Sequence, residues 1–511
     1  MAASAQLPGQ GPGQNPPPPP IHIPHIGGSR QERPQPETPS EGQVYVLLWF
    51  DTEDYILPQS DDAAKRIAVF LTQQGVPATF KVVGEKARVL KQRQRQDVIS
   101  ALSQHDIGYH SNTHSQHPTV AEYESNLDWD AGVEEFSRRE RPGFVSVLQI
   151  FAKPSLSAYG QPGVSWAPQA FPALQKWGVR VYLDEGKQVG LRGRPFFYGG
   201  LLNIFNTREG EQLRPDANWS NLDTAKARFQ DAYLTMTSRK AGGLISIYFH
   251  PCEFVHKEFW DAVNFRDGAN PPPDEWKLPP VKTPEETEKA FQYFEDLVHF
   301  LKSFPRVQFL TAATAAERFR DHAQMHVFSA QEIADIAGQV SADVSFQVGD
   351  SFNLTAGEVF YLINKYLAEI VERHGSEPIL LERPVYGPSA TVAALTARLV
   401  VPWEQVARTI LDVQDELDKT SQIPNAVWLG SQSVAPESYL VAIAEAAQSL
   451  HQEAQPPDSV VFAPARLAAA DYVADDSPDL WDWVIFPHGF HAPKIMALAK
   501  LQAWTLKPAM K

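Results

Sequence analysis

Residues Val44-Tyr45-Val46-Leu47-Leu48-Trp49-Phe50, closed by Asp51-Thr52-Glu53-Asp54, decide the fold. An unbroken apolar run of this length fits a strand buried on both faces, the habit of parallel sheets. Charge ends it abruptly. Beyond it, Asp61 to Gln74 has helical spacing (Ile67, Phe70, Leu71) and stops at Gly75, and Ala78 to Val83 reads as the next strand. That is a β-α-β unit. The alternation continues with a helix near Asp97–Ser103, strand Asp106–Tyr109, helix Ala167–Trp177 and strand Arg180–Leu183. Strand Leu244–Phe249, a long helix Pro284–Ser303 and strand Val307–Leu310 follow. Parallel strands with covering helices predict an α/β barrel or a doubly wound sheet, with chemistry at the carboxyl ends of the strands.

On either side the pattern changes. Residues 1–40 hold 11 of the 42 prolines and no Phe, Trp or Tyr, so they cannot bury surface to offset ordering entropy; the prediction is a disordered, partly polyproline tether. From 326 to 511 Ala-rich helical periods predict a mainly α accessory domain, which leaves 41–325 for the barrel. Within that tail Val344-Ser345-Phe346-Gln347-Val348-Gly349, then Glu358 and Phe360-Tyr361-Leu362, is echoed by Ala426-Val427-Trp428-Leu429-Gly430, then Glu437 and Tyr439-Leu440. A strand, a turn and an aromatic-bearing helix occurring twice is one reading; two ordinary helix-turn units is the other.

Composition narrows the function. In 511 residues, 43% apolar and 11% aromatic content supplies a packed core, and Lys plus Arg of 45 against Asp plus Glu of 61 gives a net charge of −16. That sign opposes binding to a phosphate backbone, so no nucleic-acid partner is expected. The single cysteine, Cys252, can form neither an internal bridge nor a thiolate zinc site, so any metal must be held by His and carboxylate. No apolar run approaches the roughly 18 residues of a membrane span. The N-terminus lacks the regions of a secretion signal, although Ala2-Ala3-Ser4-Ala5-Gln6 resembles what stays behind a small-residue cleavage site. The expected location is periplasmic or secreted if a leader was removed, and cytoplasmic otherwise.

Three strand ends carry the chemistry. Asp51, Glu53 and Asp54 follow the first strand, His110-Ser111-Asn112-Thr113-His114 follows Asp106–Tyr109, and His250-Pro251-Cys252-Glu253-Phe254 follows Leu244–Phe249. If the strands are parallel neighbours, all three point into one mouth. Two imidazoles and a carboxylate leave open positions on a divalent ion, which marks a catalytic site. H-E-x-x-H is excluded, because Ser111 stands where the Glu would be. His105 and His117 read as solvent-facing or supporting groups, and His488 and His491 as loop or core residues. Asp54 and Asp61 could equally be helix N-caps. Asp184 and Glu185, at another strand end, are candidates to hydrogen-bond a site residue or to cap a helix, and Glu253 is a second candidate support. Trp49, Tyr109, Tyr159, Trp166 and Tyr248 could stack on sugar faces, or serve the core.

The motifs F-D-T-E-D-Y (Phe50–Tyr55), H-D-I-G-Y-H-S-N-T-H (His105–His114) and I-Y-F-H-P-C-E-F (Ile247–Phe254) resemble those of the polysaccharide deacetylases, the NodB-homology group of carbohydrate esterase family 4, over roughly Gln43 to Phe319. The resemblance implies a distorted (β/α) barrel and a divalent metal held by an Asp and two His. By the same resemblance Asp51 is the catalytic base, His250 the general acid, and His110 and His114 metal ligands, with Asp54 the expected third ligand and Glu53 the alternative. Zn²⁺ is the expected metal, with Co²⁺ or Ni²⁺ as alternatives. One departure stands out: the family's Arg before a Pro-Gly pair is missing at Gly160-Gln161-Pro162-Gly163, so a distant cation such as Lys153, Arg192 or Arg194 substitutes, the base is tuned differently, or the site is impaired. Cys252 is expected to pack against the site and not to act as a nucleophile. Ser421 to Ala446 is similar to pseudomurein-binding repeats, which would make the tail a wall-anchoring module. The implied activity is removal of N-acetyl groups from a polysaccharide or envelope glycan. The alternatives are hydrolysis of a non-peptide C–N bond in a small cyclic amide or imide, and a glycan-binding protein with an impaired site.

Overall fold

The computed structural model describes residues 42–184, 186–205, 222–373, 377–453 and 455–510. The Pro-rich segment 1–40 and Glu185 lie outside them. Strand β1 (Val44–Thr52) is buried along its whole length and is the hub of a ten-stranded sheet. It pairs in parallel with three strands: β2 (Thr79–Val82) beside Trp49–Thr52, β8 (Gly243–Phe249) beside Val44–Phe50, and β9 (Val307–Leu310) beside Val44–Leu47. From β2 the sheet runs through β3 (Asp106–Tyr109), β4 (Ala158–Tyr159) and β5 (Val181–Leu183). It then passes to β7 (Leu201–Ile204) and β6 (Phe196–Tyr198), an antiparallel hairpin, and ends at a terminal strand Lys507–Pro508. The sheet curls without closing, the distorted barrel that the resemblance implies and one of the two architectures the strand pattern allows.

Strand alternation builds two apolar layers from one segment. Val44, Val46, Leu48 and Phe50 face outward into the layer of covering helices, where Phe50 stacks on Phe80. Tyr45, Leu47 and Trp49 face inward with Ala158, Val181, Leu183, Leu202 and Tyr248. Trp49, Tyr109, Tyr159 and Trp166 are fully buried core residues. Of the five aromatics singled out from sequence, Tyr248 is the one that lines the cavity at the mouth.

The tail divides by packing. Residues 323–462, with Trp504, share a second hydrophobic core, whereas Ala469 to Leu506 contribute to the core of the barrel. The second core is built from one element order used twice. Strand Val327–Phe328, helix Ala330–Ala337, hairpin Gln347–Val348/Asn353–Leu354 and helix Ala356–Arg373 are closed by Ile379–Leu380, which pairs with the opening strand. Strand Leu399–Pro402, helix Trp403–Thr420, hairpin Val427–Leu429/Gln432–Val434 and helix Pro436–Glu453 are closed in the same way by Ser459–Phe462. The second helix of each copy has 18 residues, whereas the first has 8 in one copy and 18 in the other. Asn364 ties the copies together: its amide donates to Ile410 O and Gln414 Oε1 (both 3.1 Å), and its Oδ1 accepts from Tyr439 Oη at 2.7 Å. Lys507, on the terminal barrel strand, places its ammonium 2.7 Å from both Glu358 and Asp321, joining the helical region to the barrel.

Candidate active site

The inward phase of β1 continues past its end, so Asp51 and then Glu53 follow Trp49 onto the inner face of the mouth. Asp54 falls on the other side. Its Oδ2 lies 2.9 Å from His256 Nε2, and its Oδ1 accepts from the backbone N–H groups of Ile56 and Leu57 at 2.8 and 3.1 Å. Of the expected ligand, Asp54, and its alternative, Glu53, strand periodicity places Glu53 beside the two imidazoles and Asp54 away from them. Candidate ligand atoms of Glu53, His110 and His114 lie within 4.8 Å of one another, all buried.

Each member of that triple is oriented from behind. His110 Nδ1 faces Gly160 O at 3.1 Å, which fixes it as the donor and leaves Nε2, 3.3 Å from Glu53 Oε2, as the lone-pair nitrogen. His114 Nδ1 meets Ser115 Oγ at 2.6 Å, and its Nε2 lies 2.9 Å from Glu53 Oε2 without hydrogen-bond alignment. Glu53 Oε1 accepts from Trp260 Nε1 at 2.8 Å. Burial opposes ionisation of Glu53, but the imidazoles around it, His114 and His250 foremost, hold it well below the usual carboxylate range. Burial likewise holds His110 down, favouring the neutral imidazole that a cation requires. An ionised carboxylate oxygen facing two ring nitrogens in a dry site fits a divalent cation. The same geometry is unfavourable without one.

The histidine loop is itself propped. Ser111 and His114 take left-handed backbone angles, φ +64° and +55°. Glu140, on helix Trp129–Ile150, accepts from Asn112 N–H and from Tyr109 Oη, both at 2.7 Å. Burial pushes its carboxyl up to about 7.

Lys81 is the residue that sequence reading missed. It lies on the inward phase of β2, fully buried, 2.9 Å from Asp51 Oδ1 and 2.7 Å from Asp184 Oδ2, and over the Trp49 ring at 4.3 Å. Burial opposes its charge, yet Asp184 and Asp51 together hold its pKa above the ordinary lysine value. None of the expected substitutes for the motif Arg reaches Asp51. Lys153 donates to Ser103 O and His105 O, and Arg192 and Arg194 line a separate cavity with Gly242 and Leu244, at the start of β8. A second carboxylate-imidazole group, Asp51, His110 and Asp184, surrounds a point that the Lys81 ammonium already neutralises.

His250 completes the mouth. Its Nε2 is 3.8 Å from both Asp51 Oδ2 and Glu53 Oε2, and Glu253 Oε2 faces its Nδ1 at 3.4 Å. Cys252 is buried, and burial pushes its thiol up, away from nucleophilic use. His105 bonds Thr72 and Ala68 O, and His117 pairs with Glu122, both outside the cavity lining. The cavity, about 300 Å³, is lined by Asp51, Glu53, His110, His114, Asp184 and His250 and walled by Asp261 and Trp483. Burial and the nearby Glu53 push Asp261 up to about 6.

Among solved structures, a proposed polysaccharide deacetylase of Mycobacterium smegmatis is similar at 14% identity, over 55% of this chain and 91% of that one, with a TM-score of 0.37. The Puue allantoinase is similar at 12% identity over 57% and 95%, with a TM-score of 0.36. A family 4 acetyl xylan esterase from Clostridium thermocellum, in complex with a cobalt ion, is similar at 14% over 54% and 91%, with a TM-score of 0.27. No family model matches the chain, and no curated protein matches it. The resemblance of the tail to pseudomurein-binding repeats finds no support among these comparisons.

Proposed function

We propose that this protein is a metal-dependent hydrolase that removes N-acetyl groups from a polysaccharide or envelope glycan. The observation that carries the reading is the convergence of Glu53, His110 and His114 beside a base candidate, Asp51, and an acid candidate, His250, in one cavity. Glu53 Oε2 and the Nε2 atoms of His110 and His114 would hold a divalent ion. Such an ion, when bound, polarises the acetyl carbonyl and acidifies water.

The chain's own groups supply the proton traffic. Asp51, fixed by the Lys81 ammonium, accepts the proton of the attacking water at a carboxylate oxygen. His250 stands across the mouth with Nδ1 backed by Glu253, so Nε2 delivers a proton to the departing amine. Trp260 holds Glu53 in register, and Tyr248, stacked on Trp49, floors the cavity. Lys81 supplies a cation beside the base, so the reading does not depend on the missing motif Arg.

Acetate release from N-acetylated oligosaccharides, with metal stripped and then restored as Zn²⁺, Co²⁺ or Ni²⁺, tests the reading. His110→Ala is expected to lose both bound metal and activity, by ~10³-fold or more. Asp51→Asn is expected to keep the metal and lose activity to a similar extent. Retained turnover in Asp51→Asn would remove the base assignment, and silence of the metal-loaded protein on every N-acetyl substrate would remove the reading.

A further inference from the structure

The C-terminal segment enters the mouth at Trp483. Its indole Nε1–H donates to Asp261 Oδ2 at 3.0 Å, across 222 residues of chain, and its ring stands edge-on to His114 at 5.5 Å. The fit is close: Gly163, at φ +51°, would put a Cβ 2.4 Å from the indole. Asp261 is 2% exposed; its Oδ2 accepts from Trp483 and the backbone N–H of Ala262 stands beside the carboxylate, but its Oδ1 has no donor in hydrogen-bond alignment. Asp261 nevertheless lines the same cavity as Asp51, Glu53 and the two imidazoles, and it belongs to neither group that could hold a metal. A buried carboxylate oxygen without a donor is costly, and at a cavity wall the missing donor is one that arrives from outside.

We propose that Asp261 is a specificity-determining residue that touches substrate: its Oδ1 accepts a hydrogen bond from a hydroxyl of the sugar bound in the mouth, while Trp483 fixes the carboxylate and offers its ring to the sugar face. This rests on the glycan deacetylase reading and deepens it. The first half of the chain supplies the reacting groups, and the C-terminal segment supplies part of the selectivity. Carboxylate acceptance beside an aromatic ring suits a sugar, whose edge is hydroxylated and whose face is apolar.

The test uses the full-length, metal-loaded protein and penta-N-acetylchitopentaose. Asp261→Asn keeps the shape, but once its carbonyl accepts from Trp483 it presents an amide donor where an acceptor is required. The expected result is a KM raised ~10–100-fold with kcat changed by less than about 3-fold, and an unchanged Zn²⁺ affinity by calorimetry. Trp483→Phe, which keeps a ring and removes the donor, is expected to shift KM in the same direction by less. An unchanged KM in Asp261→Asn overturns the proposal, as does a loss of Zn²⁺ affinity, which would place Asp261 behind the metal. If Asp261→Asn fails to fold, Trp483→Phe decides: an unchanged KM there overturns the proposal. If the wild type releases no acetate, the deacetylase reading fails first. Pentaose binding by calorimetry then judges Asp261 alone: weaker binding in Asp261→Asn supports it, and equal or absent binding overturns it.

Discussion

Asn364 in the duplicated helical region and Glu53 in the barrel mouth are both buried polar side chains, and they differ in what surrounds them. Asn364 has its donors and its acceptor matched by Ile410, Gln414 and Tyr439, groups drawn from the other copy of the repeat. Glu53 faces two imidazoles, one of which, His114, has an Nε2 with no aligned partner, and Lys81, Asp51 and Asp184 crowd beside it. A closed polar network specifies how two helices meet. An open one holds charge ready for something that is not part of the chain.

The difference can be broken by substitution. Lys81→Met removes the ammonium between Asp51 and Asp184 and leaves two buried carboxylates without it; urea unfolding should show a loss of ~3–5 kcal/mol, and the folded fraction should also lose turnover. A stable, active Lys81→Met would show that the mouth does not depend on its charge balance. Glu124 is a third kind of buried group, neither matched nor at the mouth: both of its oxygens lack partners, and burial pushes it up to about 9 from an ordinary value of 4.5. The folded state therefore keeps a proton that the unfolded chain releases above pH ~4.5. Its contribution is complete below that pH and is lost as pH rises through about 9. Glu124→Gln should raise stability at pH 8 by about 2–4 kcal/mol and flatten Tm against pH over that window; a parallel Tm profile in the two proteins would contradict it. Asn364→Leu should cost ~1–3 kcal/mol with kcat/KM unchanged, and any loss of activity per folded molecule would erase the distinction between the two regions.

How far the sequence carried depended on whether a feature was local. Strand β1 and the three strand-end groups were legible because an apolar run and short polar motifs are contiguous. Glu53 was readable in principle: position 53 shares the phase of 51, and the choice of Asp54 followed a family pattern instead of strand periodicity. Lys81 left the same kind of signal, a charge on the inward phase of Thr79-Phe80-Lys81-Val82, which the pattern of a buried strand concealed. The β6–β7 hairpin turns on Gly199-Gly200, both at positive φ, a sequence mark of a tight turn that passed unread. Helix Trp129–Ile150 was hidden by Pro142 in its interior. The Trp483–Asp261 contact left no local trace, because nothing in either neighbourhood specifies the other.

The terminal strand Lys507–Pro508, at the edge of the barrel sheet, has a consequence for the chain as it is made. Asp51 leaves the ribosome well before Trp483 and that strand. At ~5–20 residues per second the interval between Asp51 and Trp483 is roughly 20–90 s. Once β9 has emerged, and until Trp483 follows, the nascent barrel presents an open sheet edge and a charged mouth without its wall. A chaperone that shields such edges would have its longest engagement here, and a ribosome stalled anywhere before the last tryptophans would display a barrel with the reacting groups and no finished pocket.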